Sequence, residues 1–143
     1  KGVTFVILNA NPYIKSKNVK LIKTHNDLDV YKLSFESAME IYKISKSFPK
    51  EETYSMIDQI RRSSRSVATN IAEAFRKRRY PKHFVSKLSD SEGEAAETQV
   101  WLDFALSCNY INEPVYEKIY QKYDWILGKI VNMIKYPEKW KQL

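Results

Sequence analysis

Between Asp58 and Arg79 the chain reads DQIRRSSRSVATNIAEAFRKRR. Set at about 100° per residue, Ile57, Ile60, Ser64, Val67, Ala68, Ile71, Ala74 and Phe75 fall on one face. Arg61, Arg62, Arg65 and Arg76 gather on the opposite side, and Lys77, Arg78 and Arg79 follow the last turn. A run of this kind is stable only as an amphipathic helix that buries its apolar face against other helices. With only 3 Gly and 5 Pro in 143 residues, there is little material for a turn-rich β architecture. The length suits a single domain able to bury roughly 70% of its unfolded surface.

The remaining helices follow the same logic. Residues 1–25 are the least regular. Val3, Phe5 and Ile7 alternate as in a strand, but a single short strand has no partner in this reading, so the segment is expected as a mobile arm. The first helix is expected to open on a cap at Asn26 or Asp27. It then uses Leu28, Tyr31, Phe35, Ala38, Met39, Tyr42 and Ser45 and stops before Phe48-Pro49. Glu51 and Glu52 suit the positive end of a second helix over about residues 53–76.

Pro81 fits the first turn of a third helix. There Phe84, Leu88, Ser91, Ala95, Thr98, Leu102 and Ala105 form an unbroken heptad seam whose small middle lets a neighbour approach closely. Glu94, Glu97, Trp101 and Phe104 form a second stripe, fit to cover another helix or subunit. Asn109 to Asn112 is a break. Asn112 and Pro114 open a fourth helix carrying Val115, Ile119, Tyr123, Ile126, Leu127, Ile130, Val131 and Ile134, and residues 137–143 read as a tail. The fold class is therefore all-α, an antiparallel up-down four-helix bundle over residues 26–136.

The formal charge is +7, from 24 Lys+Arg and 17 Asp+Glu, and its distribution is uneven. Residues 61–87 hold nine cations, including Lys82 and Lys87, against Glu73 alone, a local net of +8. Concentrated charge of one sign attracts polyanions, and the forked guanidinium suits phosphate. A helix dipole explains cations at a C-terminal end, but not Arg61, Arg62 and Arg65, which lie more than two turns upstream. The candidate nucleic-acid-binding residues are thus Arg61, Arg62, Arg65, Arg76, Lys77, Arg78, Arg79 and Lys82. Tyr80, beside the cluster, reads as packing in preference to base stacking. Asn70 and Glu73, one turn apart beside the apolar face, read as hydrogen-bonding groups that set helix register, with Glu97 as a further structural or interface polar group.

Other chemistries have little support. A di-iron bundle needs Glu-x-x-His, and the residues three before His25 and His83 are Ile22 and Tyr80. Neither a metal nor a cofactor is expected. Arg78 and His83 have the spacing of a helical ribonuclease, with His as base and Arg on phosphate, but Pro81 interrupts the segment. Cys108 is a lone cysteine, expected as a small packed residue. No run approaches the roughly 18 apolar residues of a membrane span, and a reducing, cytoplasmic setting is expected.

The run FPKEETYSMIDQIRRSSRSVATNIAEAFRKRR, followed by HFVSKL and ETQVWLDFALSCNYI, resembles the four-helix bundle proteins of the 23S rRNA intervening-sequence family. Phe48-Pro49, Glu52, Gln59, Arg61-Arg62, Ser66 and Asn70-Ile71-Ala72-Glu73 carry most of the likeness, with Glu97 to Ala105 adding support. The resemblance implies a homopentameric barrel without established enzymatic activity, some members being encoded within insertions in large-subunit ribosomal RNA genes. A similar relative is the basic accessory protein of diversity-generating retroelements, linked to nucleic acid and to the reverse transcriptase. This chain has Ala74 where the family usually has Gly, and Gly93-Glu94 where a Gly-Ser pair is common.

Three functions are weighed. The preferred one is a non-enzymatic homo-oligomer that binds RNA or DNA through the arginine face. The second is a scaffold or accessory subunit for an acidic protein such as a reverse transcriptase, and the third is a metal-independent ribonuclease.

Overall fold

The structure is a computed structural model and describes residues 4–5 and 20–141. Four long helices make the bundle: α1 (Asp29–Ser45), α2 (Asp58–Arg76), α3 (Pro81–Ser107) and α4 (Glu113–Lys135). A short α5 (Pro137–Lys141) follows, where the sequence reads as a tail. Contacts run around a ring, α1 with α2, α2 with α3, α3 with α4 and α4 with α1, and α2–α3 is the most extensive. Each successive helix reverses direction, so the bundle is up-down.

Most of residues 1–25, the expected arm, lie outside the described residues. Within that stretch β1 (Thr4–Phe5) pairs antiparallel with β2 (Lys20–Leu21), Thr4 opposite Leu21. The short strand therefore has a partner after all.

Helix ends follow local hydrogen bonding. Thr24, not Asn26 or Asp27, is the first cap. Its hydroxyl accepts from the Asn26 amide at 3.3 Å, while Asp27 reaches back to the Thr24 amide at 3.0 Å, a capping box around the 3-10 turn His25–Asp27. α1 itself starts after Leu28 with no side-chain cap. The Glu52 carboxylate accepts from the Met56 amide at 3.3 Å and opens a π-helical turn, Thr53–Ile57, that leads into α2. α3 closes in a Schellman motif. Tyr110 N donates to Ala105 O at 2.9 Å and Asn109 N to Leu106 O at 3.0 Å, with Asn109 left-handed at φ 59° in the place glycine usually takes. Asn112 caps α4 by accepting from the Val115 amide at 3.0 Å.

The core bears out the α2 and α3 readings. Every apolar-face residue of α2, from Ile60 to Phe75, is buried, as is the whole α3 seam from Phe84 to Ala105. Small residues bring α2 and α3 together: the Ser91 hydroxyl donates to Val67 O at 2.8 Å and the Thr98 hydroxyl to Ser63 Oγ at 2.9 Å, around a fully buried Ala95. In α1 the buried face is Val30, Ser34, Ser37, Ala38, Ile41 and Ser45, while Phe35 and Met39 stand 52% and 41% exposed. Ser34 and Ser37 satisfy their hydroxyls on the carbonyls of Val30 and Leu33, both at 2.7 Å, and so fit a close helix contact. Cys108 is exposed at the end of α3, not packed.

Tyr123 of α4 is fully buried, and its hydroxyl finds no hydrogen-bond partner among the described residues. Burial raises its pKa strongly, and Glu40 adds to the shift. An unsatisfied buried hydroxyl costs about 1–3 kcal/mol of desolvation. Tyr123→Phe removes that cost and keeps the ring, so unfolding in urea should show a gain of about 0.5–1 kcal/mol. A loss of similar size would mean that the hydroxyl is satisfied.

Candidate nucleic-acid interface

The cations of residues 61–87 do not form one face. α2 sits between α1 and α3, and its arginines divide between the two neighbours. Arg61 lies on the α1 side: its Nε donates to Ser45 Oγ at 2.8 Å and its guanidinium stands 4.8 Å from the Tyr42 ring centre. Arg65 approaches the same ring at 5.7 Å and Lys46 at 4.6 Å. The two arginines make cation–π contacts across the α1–α2 contact, and Lys46 makes one within the end of α1.

Arg62 lies on the α3 side. Its Nη2 meets Glu97 at 2.6 Å, its Nη1 meets Glu94 at 3.3 Å, and its Nε donates to Gln59 at 3.2 Å. Burial works against its charge, but the Glu94 and Glu97 carboxylates outweigh it and hold the pKa above the ordinary guanidinium value. Two to three turns further along α2, Lys87 of α3 reaches Glu73 at 2.7 Å and Asn70 at 3.5 Å. Asn70, Glu73 and Glu97 thus tie α2 to α3 through Lys87 and Arg62. Arg62 is 45% exposed, so its pairs are worth under about 1 kcal/mol. Arg62→Gln should leave nucleic-acid affinity within about twofold and shift stability by less than that amount. A tenfold fall in affinity would return Arg62 to the binding surface.

The other cations gather at the α2–α3 turn. α2 ends without glycine. Arg78 folds back instead, donating from Nη1 to Phe75 O at 2.8 Å with its guanidinium 4.1 Å from the Phe75 ring centre. It satisfies a terminal carbonyl and complements the dipole. Burial lowers its pKa, and the neighbouring Arg76 and Arg79 lower it further. Like charges are therefore crowded here. Arg76, Lys77, Arg79 and Lys82 are exposed and make no ion pair among the described residues. His83, the other half of the ribonuclease spacing, is exposed on the first turn of α3, while Arg78 serves the end of α2.

The topology adds cations that a linear reading misses. Because α4 runs back alongside α3, its C-terminus and α5 share the end of the bundle with the α2–α3 turn. Phe84 of α3 stacks on Trp140 of α5 with ring centres 6.2 Å apart, both buried. Lys135, Lys139 and Lys141 are exposed on this end, along with Lys23. Asp27 here is occupied in capping, and Glu138 is the acid of α5. The only signal in the sequence was charge at the far end of the chain, meaningful once the helix directions are known. Arg65 stands apart, about 16 Å along α2 from Arg76 by the helical rise.

Elsewhere the charge is mixed. An open groove between α1 and α4 is lined by Lys32, Glu36, Glu117, Lys118 and Trp125 among others. No described helix is long and apolar enough to cross a membrane. Among the described residues no three His, Cys, Asp or Glu side chains are grouped to hold a metal ion.

Comparison with known proteins agrees with the geometry. No curated protein matches the chain. The crystal structure of a protein with unknown function from the S23 ribosomal protein family of Bacteroides thetaiotaomicron is similar, at 32% identity and a TM-score of 0.67. The match covers 74% of this chain and 98% of that one. Residues 26–132, nearly the whole bundle, match the family described as 23S rRNA-intervening sequence protein. The up-down helices, the apolar faces of α2 and α3 and this match together place the chain in the 23S rRNA-intervening sequence protein family.

Proposed function

We propose that this protein is a non-enzymatic, basic four-helix bundle that binds RNA through one end of the bundle. Arg76, Lys77, Arg79 and Lys82 of the α2–α3 turn form the centre of the site, with Lys135, Lys139 and Lys141 beside them. The observation that carries the reading is the crowding at that turn of four exposed cations that make no ion pair among the described residues. Such a cluster repels itself in the free protein, and a phosphate backbone relieves the repulsion while releasing counterions. Arg61 and Arg62 contribute to the fold, and Arg65 extends the positive field along α2. The family's association with ribosomal RNA genes supports RNA over DNA.

Assembly into a homo-oligomer belongs to the same proposal. Phe35 and Met39 on α1, and Val100 and Phe104 on α3, leave apolar side chains about half exposed on helices diagonal to one another in the bundle. Two different patches facing apart suit a head-to-tail ring, five-membered by the family resemblance. A ring repeats the basic end and multiplies weak phosphate contacts.

The test is equilibrium binding of a structured ribosomal RNA fragment across a range of salt concentrations, with assembly mass followed by light scattering. The logarithm of affinity should fall steeply and linearly with the logarithm of salt concentration. Weak binding with no salt slope, together with a nuclease-resistant complex with an acidic protein, would replace RNA by a protein partner such as a reverse transcriptase.

A further inference from the structure

We propose that the basic end takes unpaired nucleotides, with Tyr80 and Tyr136 as platforms on which bases stack. The inference rests on the phosphate-binding reading of the same end and adds what kind of strand it selects. Tyr80 lies between Arg79 and Lys82 and is 62% exposed, so it is not the packing residue its position suggests. It occupies the N-cap of α3 with no side-chain cap hydrogen bond. Ser, Thr, Asp or Asn at that position would stabilise the helix; an exposed tyrosine does not. The His83 ring stands nearly perpendicular to it, at 81° and 6.0 Å.

Tyr136 repeats the arrangement. It is 50% exposed at the end of α4, and Lys139 Nζ lies 4.5 Å from its ring centre. Each tyrosine precedes by four residues one member of the buried Phe84–Trp140 pair, so that contact holds the two exposed rings on a common end. Tyr54 is more exposed still, at 94%, but it sits near Glu51, Glu52 and Asp58, where a phosphate would be repelled. Exposed aromatic rings interleaved with cations are what an unpaired strand requires: stacking for the bases and charge for the backbone. A duplex keeps its bases stacked on each other and offers only phosphates.

The experiment compares three probes of equal length, about 12 nucleotides: a mixed-sequence single-stranded RNA, the same RNA as a duplex, and an abasic backbone. The single strand should bind at least about tenfold more tightly than the abasic strand. Tyr80→Ala and Tyr136→Ala should each weaken single-strand binding about tenfold, leave duplex and abasic binding unchanged, and keep the salt slope; Tyr80→Phe should restore wild-type affinity. If single and abasic strands bind alike, or the alanine variants bind as wild type, stacking is wrong while phosphate binding stands. If no probe binds with a salt slope, both readings fall.

Discussion

Changing Arg76, Lys77, Arg79 and Lys82 together to glutamine is expected to weaken RNA binding by two to three orders of magnitude near 0.1 M salt. Each phosphate neutralised contributes about 0.7–0.9 to the slope of log affinity against log salt, so four lost contacts should flatten it by about 3. The four side chains are exposed and unpaired, so the helices should persist. Two opposed effects act on stability. Cations removed from the last turn of α2 forfeit about 0.3–1 kcal/mol each of dipole stabilisation. Burial is the main reason the Arg78 pKa is lowered, and the smaller part that Arg76 and Arg79 add by repulsion is relieved at the same time. A net change within about 1 kcal/mol follows, checked by urea unfolding, with light scattering to confirm an unchanged assembly. Wild-type affinity and slope in the variant would move the site away from this turn, and the α1-side arginines would be the next to test.

Phe75→Ala should produce the largest loss of stability. Phe75 is fully buried on the last turn of α2, inside the main core cluster. Truncating a buried Phe costs about 3–5 kcal/mol through lost transfer energy and the cavity left behind. That is at least about a fifth of the roughly 5–15 kcal/mol that holds a domain of this kind together. The site should suffer too, because the Phe75 ring is the surface under Arg78, and Arg78 closes the turn that presents its neighbours. Denaturant unfolding should therefore show a much lower midpoint, and RNA affinity should fall even where the variant is still folded. A cost below about 1 kcal/mol would mean that the end of α2 repacks freely.

How much could be read from the residues differs from helix to helix. In α2 and α3 the face that the period selects is the buried one, because large apolar or small residues alternate there with charges that cannot be buried. α1 shows the limit. Two of its large apolar residues, Phe35 and Met39, point outward, and serines that bond to their own helix share the inner face with Val30 and Ile41. Hydrophobicity by itself ranks phenylalanine above serine, whereas close helix packing is decided by volume and hydrogen-bond satisfaction.

The site divides in the same way. The identity and density of the cations, the helix that carries them and the family were all legible in the residue string, since they depend on local composition and spacing. Tertiary structure alone decided which charges remain available. Glu94 and Glu97 lie more than thirty residues from Arg62 in the chain, yet one antiparallel contact makes them its partners. The same reversal of direction brings Lys135, Lys139 and Tyr136 to the end that holds Arg76, Lys77 and Arg79. Helical periodicity is set by neighbours within a turn or two, so sequence determines it; the cancelling or pooling of charge depends on which helices touch and which ends meet, so only the folded bundle determines that.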